Sequence, residues 1–324
     1  MGGIMKIVYM GTPDFAVGAL KAIIEAGHEV VAVVTQPDRA KGRSDKLVPP
    51  PVKEVALEYG IPVLQPLKIR EKEAVDELRK YPADIFVVAA FGQILSEEIL
   101  EMPKYGCVNI HASLLPHLRG ASPIQQSILL GDDKSGVTIM QMDKGLDTGD
   151  ILIQEAIPIT SSDTGGSLFD KLAELGANLI VKALPMIENG EIKPIPQDED
   201  KADYAGMLTK NMGKVDFKAG ASQIERQVRG LDPWPGTYTY YAGKQLKLWH
   251  CGAVSTLPDD PYRYEKADKD EPGTVIEVLK DAIYVRTGDG ILRIDELQLE
   301  GKKRMSTKDF LLGYKITVGD KLGE

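Results

Sequence analysis

"GCVNIHASLLPHLRGASPIQ", from Gly106 to Gln125, sets an asparagine and a histidine two residues apart in an otherwise apolar run. Residues i and i+2 of a strand point to the same side. With Val108 and Ile110 packed into one face, Asn109 and His111 project together from the other. An amide donates and accepts hydrogen bonds, and an imidazole can also exchange a proton near neutral pH. A lone histidine at a strand end is most simply a hydrogen-bonded structural imidazole. An asparagine beside it, with a stiff polar loop behind it that holds Pro116 and Pro123, points to chemistry instead. Both residues also sit at the strand's carboxyl end, where open α/β sheets bind their ligands.

A third group comes from "MDKGLDTGDIL". Gly145 and Gly149 bracket Leu146–Asp147–Thr148, so the backbone can turn sharply there and present Asp147 to a cleft. The bland reading is an Asx-type turn. Asp143 and Asp150 compete with Asp147, and periodicity does not choose among the three.

A sheet must hold these groups. "MKIVYMGTPDFAVGALKAIIEAGHEVVAVVTQPD" reads strand, helix, strand, with Thr12 expected to cap a helix whose first position is Pro13. "ADIFVVAAFG" and "GCVNIHAS" are further apolar strands, "GVTIMQMD" and "DILIQEAIPI" add two more, and a long helix is expected from Asp163 to Glu188. Continuous apolar strands separated by helices predict an α/β fold with a Rossmann-like, mostly parallel sheet covered on both faces. "NGEIKPIPQDEDKAD" is polar and proline-containing and reads as a linker. Beyond it, a short amphipathic helix near Ala221–Arg229 and short strands between turns predict a small barrel or sandwich. The expected division is a catalytic domain over 1–190, a linker over 191–208 and a second domain over 209–324.

Several function classes drop out. "GTPDF" follows the first strand, but Pro13 stands where a dinucleotide fold needs its second glycine, and no GxxxxGK[ST] occurs. The two cysteines, Cys107 and Cys251, are far apart, which excludes a disulfide scaffold and a thiolate metal site and suits a reducing cytosol. No apolar run approaches the length of a membrane span, roughly 18 residues, so no membrane association is expected. The start lacks a signal-peptide pattern, and a cytoplasmic setting follows. The net charge of −9 argues against a nonspecific nucleic-acid binder, although from Thr209 onward there are 19 Lys and Arg against 18 Asp and Glu.

"NIHASLLPHLRGASPIQ" together with "GVTIMQMDKGLDTGDIL" resembles the folate-dependent formyltransferases, whose Asn…His…Asp catalytic triple matches Asn109, His111 and Asp147. "TKNMGKVDFKAGASQIERQVRGLDPWPGTYTYYAGKQLKLW" is similar to the start of the C-terminal domain in the branch that acts on methionyl-tRNA, with Arg226, Arg229 and "PWPG" in place. The resemblance spans essentially the whole chain. It implies transfer of a formyl group from 10-formyltetrahydrofolate to the amino group of methionine esterified to initiator tRNA, with no metal. Asn109 would donate to the developing oxyanion, and His111 would too if its imidazole is protonated there. Asp147 would orient or charge-stabilise His111 and accept the amine's proton. The resemblance places the folate against Ser113, Leu114, Leu115 and Pro116, and against backbone groups of Phe91, Gly92, Gln93 and Ile94. His117–Leu118 departs from the family's basic-aromatic pair at the loop surface.

The same resemblance assigns tRNA contact to the basic loop in "QPDRAKGRSDKLVPPPVK". From Pro37 to Lys53 it carries five basic and two acidic residues. Its candidates are Arg39, Lys41, Gly42, Arg43 and Lys46, and Ser44–Asp45 departs from the family's Gly-Lys there. Lys302, Lys303 and Arg304 are candidates in the C-terminal part, where the family has an oligonucleotide-binding (OB-like) barrel. The expected partners are initiator methionyl-tRNA and the folate co-substrate, and a monomer is expected. The rivals are a formyltransferase acting on an amino sugar nucleotide or on glycinamide ribonucleotide, and a formyl-folate hydrolase. The basic loop and "PWPG" separate the first from the reading above, and the length of the chain separates the second. A non-catalytic binding module fits poorly with all three catalytic positions intact.

Overall fold

The structure, a computed structural model, describes residues 3–40, 46–258 and 270–323 of the 324-residue chain. Two compact units form, one within Met1–Ile124, Lys134–Pro158 and Leu168–Gly206, the other within Gln125–Asp133, Ile159–Ser167 and Met207–Glu324. Residues 191–206, expected as part of a linker, thus cluster with the first unit.

The first unit is built on a seven-stranded sheet. Its strands are β1 (Lys6–Gly11), β2 (Glu29–Val34), β3 (Val63–Leu64), β4 (Ile85–Ala89), β5 (Cys107–His111), β6 (Lys134–Gln141) and β7 (Ile151–Pro158). Their order is β7-β6-β5-β4-β1-β2-β3. β3, β2, β1, β4 and β5 pair in parallel, whereas β6 runs antiparallel to both β5 and β7. β4 is buried along its whole length, the pattern of a parallel strand covered on both sides. The chain passes from β1 to β2 on one side and returns to β4 on the other. That reversal beside β1 is a topological switch point, the place where open α/β sheets bind ligands at the strands' carboxyl ends.

Helix α1 (Phe15–Glu25) starts later than the expected cap allows. Pro13 and Asp14 form a turn first, with Ala16 N donating to Pro13 O, and no side chain caps the helix. The Thr12 hydroxyl instead donates to Phe91 O at 3.2 Å and accepts from Gln36 N at 3.4 Å, tying together the loops after β1, β2 and β4. The long helix α2 (Gly165–Glu188) has leucines at helical spacing, of which Leu168, Leu172 and Leu179 are buried and Leu175 is half-buried.

In the second unit an antiparallel sheet contains β8 (Thr237–Tyr241), β9 (Lys244–Val254), β10 (Val275–Val278), β11 (Ile283–Arg286) and β12 (Ile291–Leu299). The order is β8-β9-β12-β11-β10, with a short sixth strand, Met305–Ser306, also paired to β12. Alternation sets the faces: Leu246 and Leu248 are buried with Val228, Ile294, Leu297 and Phe310, while Lys247 points away. Helix α3 (Ala221–Gly230) closes this core with Ile224 and Val228. Among the described residues no helix is long and apolar enough to cross a membrane.

Both thiols are buried, and burial pushes Cys107 up to about 12 and Cys251 well above its ordinary value. Cys107 lies on β5, so its exposure reports opening of the strand that carries Asn109 and His111. The folded protein is expected to show no fast-reacting thiol toward a disulfide reagent at pH 8, and both thiols should react after denaturation. A thiol that reacts rapidly in the native state would contradict this packing.

Candidate active site

Asn109 and His111 leave the face of β5 opposite to that of Val108 and Ile110, as strand periodicity requires. Val108 and Ile110 are fully packed, His111 is 6% exposed and Asn109 is half-buried. Register places Asn109 beside Val88 of β4 and Met140 of β6, and His111 beside Thr138.

Asp147 reaches them from the turn after β6. Its Oδ2 accepts from Gly120 N at 2.8 Å and lies 3.7 Å from His111 Nδ1, and its Oδ1 is 3.5 Å from Asn109 Nδ2. Asp143, one competitor, uses its Oδ1 to accept from Gly145 N and the Thr148 hydroxyl, so the Asx-type turn is made by Asp143 rather than by Asp147. Asp147 itself has a φ of +55°, the left-handed region, and the glycines around it let the turn close. At Gly149 a Cβ would overlap the carbonyl oxygen of Gln141.

The imidazole has a defined orientation. Its Nε2 sits 3.0 Å from the carbonyl oxygen of Leu118, which can only accept, so Nε2 carries a hydrogen. Nδ1 is then the nitrogen turned toward Asp147, and it is a donor only when the ring is charged. The Leu118 carbonyl is brought there by a left-handed residue, with φ of +59°.

The loop 113–118 is held by side chains that sequence reading missed. The buried Thr138 hydroxyl donates to Ser113 O at 2.7 Å and accepts from Leu115 N at 3.2 Å, and Gln154 Nε2 donates to Leu115 O at 2.7 Å. Ser113 turns its own hydroxyl to His117 O at 2.6 Å. A polar threonine at a fully buried strand position was the available signal.

The folate candidates divide by burial. Leu115 is 3% exposed and belongs to the interior, while Leu114 and Pro116 are half-buried. Phe91 packs its ring into the core, and its carbonyl accepts from both Thr12 and Gln36. The Gln93 side chain is occupied between Ile69 N and Pro66 O, at 2.6 and 3.0 Å. Gly92, with φ of +78°, and Ile94, 71% exposed, leave backbone and apolar surface available.

Of the basic candidates, Lys41, Gly42 and Arg43 lie outside the described residues, as do Ser44 and Asp45. Arg39–Ala40 pairs antiparallel with Leu47–Val48, and Lys46 is exposed next to that pair. The charge counted on Lys53 is neutralised by Asp38 at 2.8 Å, and bonds from Gln65 and Lys53 hold the Asp38 carboxyl below its ordinary range. Lys302 and Lys303 are exposed. Arg304 is committed within the fold: it pairs with Glu296, lies 3.9 Å from Asp232 and covers the Trp249 ring at 4.8 Å.

The chain matches the family model described as "Formyl transferase" over residues 5–184 and "Formyl transferase, C-terminal domain" over 207–315. It is 51% identical to a methionyl-tRNA formyltransferase of Lachnospira eligens, over 99% of this chain and 100% of that one. It is 49% identical to a protein of the same name from Agathobacter rectalis, over 97% and 98% of the two chains. Among solved structures it resembles an N-formyltransferase from Helicobacter canadensis in complex with folinic acid and dTDP-3-aminofucose. That likeness has a TM-score of 0.66 at 20% identity, and it covers 94% of this chain and 100% of the other.

The left-handed turn predicts a graded response at position 147. Asparagine tolerates this conformation, so Asp147→Asn should leave the urea midpoint nearly unchanged. A β-branched side chain does not, and Asp147→Val should lose about 1–3 kcal/mol of stability. Equal midpoints for the two variants would contradict the assigned backbone.

Proposed function

The chain belongs to the formyl transferase family, and we propose that it transfers the formyl group of 10-formyltetrahydrofolate to the amino group of methionyl-tRNA. The product is N-formylmethionyl-tRNA, which serves translation initiation. The observation that carries the acceptor assignment is the 51% identity to the Lachnospira relative across both full lengths. The Helicobacter likeness, at 20% identity, supports the fold alone and does not favour an amino sugar acceptor.

The chemistry follows from the three clustered side chains. 10-Formyltetrahydrofolate, when bound, supplies a formyl group already activated on nitrogen. The donor set fits it: Asn109 Nδ2 makes a long contact to Asp147, at 3.5 Å, and as a two-hydrogen amide keeps capacity to donate to the formyl oxygen as charge develops there. Leu114, Pro116 and Ile94 offer apolar surface, and the backbone of Gly92 to Ile94 offers polar groups. The incoming α-amino group, with an ordinary pKa near ~8, must attack unprotonated. Asp147, oriented by Gly120 N, is placed to take the proton that leaves this amine, directly or through water. His111, held through Nε2, presents Nδ1 as a second donor when charged, with Asp147 3.7 Å away to stabilise that charge.

We assign catalysis to the first unit and tRNA binding to the second together with the first unit's basic loop, with initiator methionyl-tRNA as the partner. The antiparallel sheet and its closing helix support an OB-like barrel as the second unit's architecture. Phosphate contacts are assigned to Arg39 and Lys46, to Lys41 and Arg43 with Gly42 between them, and to Lys302 and Lys303. Arg304 holds its neighbours, and its charge is largely spent on Glu296. A monomeric, cytoplasmic enzyme is the setting this reading implies.

Incubation with 10-formyltetrahydrofolate and, separately, methionyl-tRNA, an amino sugar nucleotide or buffer tests the acceptor. Formyl is expected on the aminoacyl ester alone; label on the sugar, or release with buffer, would overturn the assignment. In the same assay Asn109→Ala should lower kcat by about 10²–10³-fold, the usual effect of losing one oxyanion donor. Turnover close to that of the unaltered protein would remove Asn109 from this role.

A further inference from the structure

Residues 195–206 fall outside both stretches matched by the family, yet they form a strap on the first unit. One end is fixed by Ile195, which exchanges two backbone bonds with Ile151, at 2.8 and 2.9 Å. The other end, Tyr204–Ala205, pairs in parallel with Arg119–Gly120. That approach is close enough that a Cβ on Gly120 would stand 2.7 Å from Ala205 O.

Between these ends runs a chain of side-chain hydrogen bonds. Arg119, fully buried, donates from Nη1 and Nη2 to the two oxygens of Glu199, at 3.0 and 2.8 Å. Its Nε donates to Gln197 Oε1 at 3.0 Å. The guanidinium has no acceptor, so this contact fixes which end of the Gln197 amide is oxygen. Both amide hydrogens then face the turn that carries Asp147. They go to Asp147 O at 2.8 Å and Gly149 O at 2.7 Å.

Asp147 is held at two levels by neighbouring residues. Gly120 N binds its carboxylate, and the Arg119 side chain, through Gln197, binds its carbonyl. A non-glycine residue in the left-handed region is less favourable than in ordinary backbone, so such bonds help the turn to persist. We propose that Gln197, oriented by Arg119, is a positioning residue for formyl transfer: it fixes the turn that aims the Asp147 carboxylate at Asn109 and His111. The inference rests on the formyl-transfer reading above. It makes the polar stretch between the two domains a working part of the site rather than a tether.

Two variants separate positioning from simple bracing. Gln197→Glu keeps an acceptor for Arg119 but offers the two carbonyls no donor at neutral pH, and Gln197→Leu removes both functions at similar volume. With methionyl-tRNA and 10-formyltetrahydrofolate, each is expected to lower kcat at least about 30-fold while KM for either substrate stays within about threefold. In the substrate-free protein, the His111 imidazole nitrogen resonances of Gln197→Leu should move toward those of Asp147→Asn. Unchanged kcat, or unmoved His111 resonances, would overturn the positioning role. So would a raised KM and lowered Tm with kcat intact, the pattern of a mere brace. Failure of the unaltered protein to formylate methionyl-tRNA would instead strike the functional reading, and the His111 resonances would still report on the strap.

Discussion

The geometry of the site turns on one backbone donor, the N–H of Gly120, which holds Asp147 Oδ2 at 2.8 Å. The Asp147 side chain is only 13% exposed, and the neighbouring imidazole only 6%. A carboxylate so placed has little water to solvate it, and its donors determine where it points. Two left-handed residues flank this contact, Leu118 on one loop and Asp147 on the other. Each is unfavourable on its own, and each delivers one partner to His111: a carbonyl to Nε2 and a carboxylate facing Nδ1. Backbone strain found at a site in this way is consistent with pre-organisation, because the surroundings hold the groups before any substrate arrives.

The sheet explains why these loops meet. β5 has a parallel neighbour in β4 and an antiparallel one in β6, and the carboxyl end of β5 lies beside the middle of β6, where Thr138 stands opposite His111. Thr138 can then reach the loop after β5 and hold it at Ser113 and Leu115. The chain leaves β6, turns through Gly145–Gly149 and returns as β7, which brings Asp147 back over Asn109. β6 ends beside the start of β5, so the turn has to fold back along the sheet to reach the site.

Much of this was legible in the residues. Strand alternation put Asn109 and His111 on one side, and continuous apolar runs gave the parallel sheet. The choice of Asp147 over Asp143 and Asp150 was not legible, because it depends on which carboxylate meets Gly120 N across 27 residues of chain. Thr12 misled because it stands two residues before the helix's N-cap position, Asp14, and its hydroxyl instead bridges loops distant in sequence. Residues 191–206 misled for a different reason. Their composition is that of a solvated linker, and only the burial of Arg119 shows that they carry its partners Gln197 and Glu199. Long-range pairing of single polar groups leaves no periodic trace.

The central claim is that Asn109, His111 and Asp147 act as one unit on a single reacting carbon. A double-mutant cycle in kcat/KM, with Asn109→Ala and Asp147→Asn alone and combined, tests this most directly. Groups that work as a unit lose most of their effect with the first removal. The combined variant should therefore be little slower than the worse single one. Effects that multiply in full would show the two side chains acting independently and would contradict the account.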